Sequence, residues 1–185
     1  RVGVILQGGP WYEIVDGQRD GLKDLGLFEG RQYVLEIRDT RGDLAAVEQA
    51  AEKFEEQKVD LIYTLSTSVS LAAKKATQNI PIVFAAGTDP VTVKLAESIR
   101  NPGGRSTGVH FLATDLTGKR LEILREMVPG LRRVVTFYDP KNRSAAESAT
   151  EGREAARHLG LEFVERHVAS VDELRTGLRA FRSDQ

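Results

Sequence analysis

The sequence predicts an α/β protein with an open parallel sheet that is covered by helices on both faces. Continuous apolar runs alternate with segments of helical periodicity along the chain. Such runs are typical of strands that are buried on both faces of a parallel sheet. Polar or glycine-containing tips follow several of the runs, and this is the edge at which open α/β sheets bind ligands.

The predicted strands are short segments rich in apolar and β-branched residues that end at polar or turn-forming residues. They are residues 2–7, 33–40, 60–65, 81–86, 107–111, 133–139 and 161–168. Each strand after the first follows a helical or turn segment, and this alternation favours right-handed crossovers between parallel strands.

The predicted helices have apolar residues that recur at spacings of three and four, as do Leu44, Val47 and Ala51. They are residues 13–25, 44–57, 67–78, 90–99, 115–128, 143–159 and 170–182. Gly26 predicts the end of the first helix, because glycine readily adopts the left-handed conformation at a helix C-terminus.

A linker is predicted at residues 101–108, NPGGRSTG, because proline and two glycines interrupt the alternation there. We expect an N-terminal lobe at 1–110 and the beginning of a second lobe at 111–185. The second lobe has only two clear strands, which make a poor sheet by themselves. We therefore expect that lobe to be incomplete in this chain, and any signal peptide to lie outside it.

Composition excludes several classes of function. The 26 basic residues nearly balance 27 acidic residues, and no basic block predicts a nucleic-acid partner. Cysteine is absent, which excludes disulfides and thiolate nucleophiles. The three histidines have no metal-binding spacing. No motif for catalysis or for a cofactor is present, and no apolar run approaches the roughly 20 residues that span a bilayer.

The tips after the third and fourth strands hold candidate ligand-binding residues. Ser66, Thr67 and Ser68 precede a helix, whose N-terminus needs one cap but where three hydroxyls suit an anion such as a carboxylate. Asp89 is expected to cap a helix that starts at Pro90. Thr88 is then expected to face the same rim.

Two further tips complete the predicted site. Gln7, Trp11 and Tyr12 follow the first strand, where Trp11 either closes the loop or forms a stacking wall for a ligand. The sixth strand is followed by three polar residues that would form an opposite wall: Asp139, Asn142 and Ser144. Asn142 or Ser144 is expected to cap the next helix. Asp39 and Asp43 indicate a turn, and His110 is a lone histidine near the linker.

The residues together resemble a bacterial family of ABC-transporter substrate-binding proteins, of the uncharacterised type that includes tryptophan-binding members. The resemblance is carried by L-G-x-x-E-G, by T-D-P-V and by N-P-G-G-x-x-T-G-V at their separations in this chain. It implies a periplasmic-binding-protein type I fold, in which two α/β lobes enclose a small solute and deliver it to a membrane permease. It also implies export, often with a lipid anchor.

The resemblance implies roles for the candidate residues. In amino-acid-binding relatives, hydroxyls and backbone N–H groups hold the ligand carboxylate and an acid holds the amine, roles that Thr67 and Asp89 fit. The sequence thus favours a non-enzymatic solute receptor for an amino acid or small carboxylate, which binds no nucleic acid and needs no cofactor. Two alternatives on the same fold are the ligand-sensing domain of a regulator or signalling receptor and a transferase-type enzyme.

Overall fold

The computed structural model describes residues 1–183, with side chains described as far as residue 180. The chain divides into two compact units, of which unit 1 is Arg1–Phe111 and unit 2 begins at Leu112. This division falls one residue after the predicted boundary. Residues 184 and 185 of the predicted second lobe lie outside the described residues.

Unit 1 contains a five-stranded sheet in which every paired strand is parallel. The strand order is β2-β1-β3-β4-β5, with β1 in contact with both β2 and β3. In chain order the elements are β1 (Val2–Leu6), α1 (Trp11–Asp24), β2 (Leu35–Asp39), α2 (Leu44–Glu56), β3 (Leu61–Leu65), α3 (Thr67–Ala76), β4 (Ile82–Ala86) and β5 (Ser106–His110).

Helices cover both faces of this sheet. On one face, Val47 and Phe54 of α2 pack with Val69 of α3 against Ile5 and other strand residues in one buried cluster. On the other face, α1 contributes Val15 to a second cluster of strand side chains. The predicted fold class is therefore confirmed, because the apolar strand runs are covered from both sides.

Local sequence signals set three helix termini, of which the Ser66 cap and the Gly26 stop were expected and the Asp43 cap was not. The Asp43 side chain caps α2 by accepting a hydrogen bond from the Ala45 N–H at 2.9 Å. The Ser66 hydroxyl accepts one from the Val69 N–H at 3.4 Å and caps α3. Helix α1 ends at Asp24, and Gly26 follows with a φ of 78°.

The predicted helix at residues 90–99 is wrong, because this segment forms turns and bends. Lys94 has a φ of 59°, which interrupts any right-handed helix. The Lys74 ammonium donates hydrogen bonds to the carbonyl oxygens of Lys94 and Leu95, at 2.8 and 3.2 Å. A side chain from α3 therefore satisfies carbonyls that a helix would have used, and the β-branched residues at 91–93 add little helix propensity against it.

Unit 2 contains a two-stranded parallel sheet between three helices. Its elements are α4 (Thr117–Met127), β6 (Arg133–Tyr138), α5 (Arg143–His158), β7 (Glu162–His167) and α6 (Val171–Ser183). Leu121, Ala156 and Leu161 form its buried cluster. A Cβ on Gly177 would lie 2.7 Å from the Phe137 ring, so α6 packs closely on β6.

Glu55, near the end of α2, holds the connection between α3 and β4. Its carboxylate accepts hydrogen bonds from the backbone N–H groups of Gln78, Asn79 and Ile80, at 2.7 to 3.0 Å. These bonds, the one from Asn79 first, lower the pKa of Glu55 below its usual value.

We expect Glu55→Gln to lower the free energy of unfolding of unit 1 by about 1–2 kcal/mol at pH 7, because charge-assisted bonds are replaced by weaker ones. A lowered carboxylate pKa stabilises the fold above the unfolded-state pKa and loses that effect as the pH falls through the folded-state pKa. The difference between variant and wild type should therefore shrink in urea unfolding between pH 6 and pH 3. Glu56→Gln, an exposed neighbour, is the control, and an equal loss at both pH values would contradict this role.

Candidate functional site

The candidate site lies at the carboxyl edge of the sheet in unit 1. The strand register places the last residues of β1 and β2, Leu6 and Asp39, side by side. The neighbouring strands β3, β4 and β5 end at the same edge. The predicted residues of unit 1 follow three of these strands, so one edge of the sheet brings their backbones together.

The N-terminus of α3 contributes three hydroxyl residues that are almost fully enclosed. Ser66, Thr67 and Ser68 are 8%, 1% and 9% exposed. Ser66 has a φ of 93° and a ψ of 154°, a conformation that residues other than glycine rarely adopt. Strain of this kind concentrates where a site requires a particular backbone path, here the abrupt turn from β3 into α3.

Thr67 joins the tips of β3 and β4. Its hydroxyl oxygen accepts hydrogen bonds from the backbone N–H groups of Gly87 and Thr88, at 3.1 and 3.3 Å. Thr88 is itself buried. The structure therefore brings Thr67 and Thr88 together, as the sequence predicted. By accepting these two hydrogen bonds, the Thr67 hydroxyl oxygen also holds the segment after β4 in place.

Asp89 caps a turn and not a helix, which corrects its predicted structural role. Its carboxylate accepts hydrogen bonds from the Val91 N–H at 2.8 Å and from the Thr92 hydroxyl at 3.1 Å. The bond from Val91 is the main cause of a lowered pKa for Asp89, and the charge of His110 contributes in the same direction. Asp89 thus carries a stable negative charge at the rim, with His110 of β5 nearby.

The predicted aromatic residues lie in the first turn of α1, directly after the loop that follows β1. Trp11 is half-buried and packs against the core cluster on the α1 face, so much of its ring serves the fold. Gln7 is also half-buried. Tyr12 is 39% exposed, and its hydroxyl donates a hydrogen bond to the Asp39 carboxylate at 3.3 Å.

Asp39 also lies at this edge of the sheet, although the sequence indicated only a turn at this residue. Its carboxylate does accept the Arg41 N–H at 3.0 Å within that turn, but it also contacts the β1 loop. A Cβ at Gly8, whose φ is 82°, would lie 3.0 Å from both Asp39 carboxylate oxygens. Burial, and next the charge of Asp39, raise the pKa of Tyr12. Asp39 was missed because it lies inside the predicted strand 33–40, whereas the observed strand β2 ends at Asp39.

In unit 2 the predicted residues lie in the loop after β6 and in the first turn of α5. The Asn142 side chain caps α5 by accepting the Ala145 N–H at 3.2 Å, as expected. The Asp139 carboxylate accepts the Lys141 N–H at 2.9 Å. Ser144 is half-buried in the first turn of α5. Asp139 and Asn142 therefore have local structural roles, and their part in binding stays a prediction.

A polar network at the carboxyl edge of unit 2 was not predicted from the sequence. Tyr138 and His167 end the paired strands β6 and β7, and the His167 ring nitrogen lies 3.1 Å from the Tyr138 hydroxyl. That hydroxyl donates to Glu165 at 2.7 Å, and Arg153 donates to the other oxygen of Glu165 at 2.7 Å. The bond from Arg153 is the main cause of a lowered pKa for Glu165.

The described residues, 1–183, lack two features that would indicate another class of protein. They contain no group of three or more His, Cys, Asp or Glu side chains that could hold a metal ion. No helix in the same part of the chain is long and apolar enough to cross a membrane.

The fold is that of the type I periplasmic binding proteins. Residues 1–185 match the family described as ABC transporter substrate binding protein, and the chain belongs to that family. The family match confirms the resemblance that the sequence motifs indicated.

Individual relatives agree with this assignment. A tyrosine-binding protein of Clostridioides difficile (strain R20291) is 29% identical over 154 residues, which are 83% of this chain and 44% of the relative. A crystal structure of a conserved domain protein from Vibrio cholerae has a TM-score of 0.87 and 26% identity, over 97% of this chain and 60% of that one.

A Streptococcus pneumonia ABC domain in complex with L-Trp has the same fold, with a TM-score of 0.86 and 22% identity over 98% of this chain and 61% of that one. The chain thus spans about half of the curated relative and about three fifths of these solved structures.

Proposed function

We propose that this chain is part of the solute receptor of an ABC importer and that it binds an amino acid or a similar small carboxylate. The observation that carries the proposal is the enclosed run of hydroxyls Ser66, Thr67 and Ser68 at the start of α3. The N-terminus of a helix carries partial positive charge and offers backbone N–H groups, so this position suits a carboxylate. The relatives that are described as binding tyrosine and tryptophan support an amino-acid ligand.

We assign the ammonium group of the ligand to Asp89. The turn that Asp89 caps keeps its carboxylate ionised, and an ionised carboxylate at the rim is suited to pair with a cation. In this proposal Trp11 and Tyr12 flank the apolar part of the ligand and Gln7 and Thr88 line the same edge. The second lobe contributes Asp139, Asn142 and Ser144 when the ligand is enclosed between the lobes.

The proposed mechanism is closure of two lobes around the ligand, which favours the closed state because the ligand contacts both walls only there. The closed receptor would be recognised by a membrane permease outside the cytoplasm, and a lipid anchor would keep it near that permease. We propose no catalytic role. The family match favours a receptor over the sensing domain of a regulator, although both share the fold.

Ser68→Ala should weaken the binding of the preferred amino acid about tenfold, because a hydrogen bond to a charged carboxylate is lost. Isothermal titration of the full chain with L-tyrosine, L-tryptophan and L-leucine measures the affinities. Tyramine, which is tyrosine without its carboxylate, should bind far more weakly than tyrosine.

The matched control is Ser70→Ala, two residues further along α3. The Ser70 hydroxyl bonds to Thr64 and to the Ser66 carbonyl inside the unit, so its loss should lower stability without changing affinity. Equal binding of tyramine and tyrosine, or equal loss of affinity in both serine variants, would refute the carboxylate site.

A further inference from the structure

The Asp39 carboxylate is held beside the predicted site by contacts with two neighbouring segments. One oxygen accepts the Arg41 N–H at 3.0 Å, and the other accepts the Tyr12 hydroxyl at 3.3 Å. The absence of a side chain at Gly8 gives the carboxylate its place, because a Cβ there would lie 3.0 Å from both oxygens. The position of Asp39 is therefore set by its own turn, by Gly8 in the loop after β1 and by Tyr12, which is a candidate site residue.

Asp39 retains capacity to accept further hydrogen bonds. An ionised carboxylate offers about four acceptor positions. Two of them are used among the described residues, and Asp39 is exposed. A donor on a ligand at this edge can therefore reach the carboxylate without displacing Tyr12.

The strand order sets how far Asp39 lies from the start of α3. Asp39 is level with Leu6 on β1, and β1 separates β2 from β3. Two strand spacings amount to about 10 Å. The ammonium and carboxylate of an α-amino acid are attached to one carbon, so they cannot bridge from Ser66 to Asp39. A side chain with a donor at its far end can do so.

We infer that Asp39 is a specificity-determining residue, which accepts a hydrogen bond from a donor at the far end of the ligand side chain while Tyr12 holds the carboxylate in place. This inference rests on the proposed function. The ligand class is an amino acid whose side chain ends in a phenol, ammonium, guanidinium or amide group. An amino acid with a purely apolar side chain would leave Asp39 without a ligand partner.

The test compares L-tyrosine with L-phenylalanine, which differ by one hydroxyl, and L-lysine with L-norleucine, which differ by a terminal ammonium. Titration of the wild-type chain should show at least one donor-bearing ligand bound about tenfold more tightly than its apolar partner. Asp39→Ala should reduce that ratio to within about twofold, through weaker binding of the donor-bearing ligand. Tyr12→Phe should reduce the ratio less, since Asp39 stays but is less well held.

Asp20→Asn, an exposed carboxylate on α1, is the control and should leave the ratio unchanged. If Asp39→Ala weakens both members of a pair equally, Asp39 acts only on the fold and the inference is wrong, while the proposed function stands. The same holds if the wild type does not discriminate within either pair. If none of these amino acids binds, nor those used above, the proposed function itself fails.

Discussion

Arg105→Ala is expected to lower the free energy of unfolding of unit 1 by about 3 kcal/mol, since several hydrogen bonds from a charged group are lost together. The Arg105 guanidinium donates to the Thr77 hydroxyl and to the Ile80 carbonyl, each at 2.9 Å. It also donates to the carbonyls of Lys74 and Thr77, each at 2.6 Å. These carbonyls lie at the C-terminal end of α3, where helix carbonyls lack partners within the helix.

Trp11 is the single tryptophan and lies in unit 1, so its fluorescence in a urea titration reports this unit. Arg105→Lys should recover only part of the loss, because one ammonium cannot reach partners on both sides of a planar guanidinium. Arg100→Ala, on the exposed part of the same segment, should stay within about 0.5 kcal/mol of wild type. Similar losses in Arg105→Ala and Arg100→Ala would show that the four bonds contribute little.

Gly3→Ala is expected to cost about 2–3 kcal/mol, because it places a methyl group in a core that is already filled. Gly3 lies in β1, which is paired on both sides, and a Cβ there would be 2.5 to 2.8 Å from three ring atoms of Phe54. Phe54 is 1% exposed and is packed between α2 and the sheet. Its ring cannot move aside without disturbing the cluster, so the strain stays in the fold.

Phe54→Leu in the same chain provides the decisive comparison. A shorter side chain should relieve the contact, so the double variant should lose less stability than the two single losses added together, by about 1 kcal/mol. Gly17→Ala on α1 is the control, since nothing lies within 4 Å of its added methyl group and alanine favours a helix. Strict additivity in the double variant would show that Gly3 and Phe54 do not compete for the same space.

Much of the fold could be predicted because its signals are local. The buried runs that became β1, β3 and β4 have a composition that suits a parallel sheet, and Asp43 and Ser66 mark helix starts within one turn of sequence. The segment 90–99 failed because its conformation depends on Lys74, which is distant in sequence and donates to its carbonyls. Local helix signals cannot report a partner of that kind.

Some residues of the candidate site could be selected from the sequence, and others could not. The rule that ligands bind after strands selected Ser66, Thr67 and Thr88 as candidates, and the hydrogen bonds of the Thr67 hydroxyl bring the ends of β3 and β4 together. The rule did not reach Asp39, because the predicted strand 33–40 extends past it and the observed strand ends there. The network of Tyr138, Glu165 and His167 was missed because it depends on which residues face each other across two strands.

The amino-acid sequence by itself determined that this protein is an α/β chain of parallel strands whose carboxyl ends carry hydroxyls and carboxylates, because periodicity and capping act over a few residues. Only the tertiary structure decided which of those groups meet. The pairing of β2 with β1 placed Asp39 against Tyr12 and Gly8. The pairing of β3 with β4 placed the Thr67 hydroxyl where it accepts a hydrogen bond from the Gly87 N–H. The physical reason is that strand order and register are set by burial of the whole sheet, which no single segment specifies.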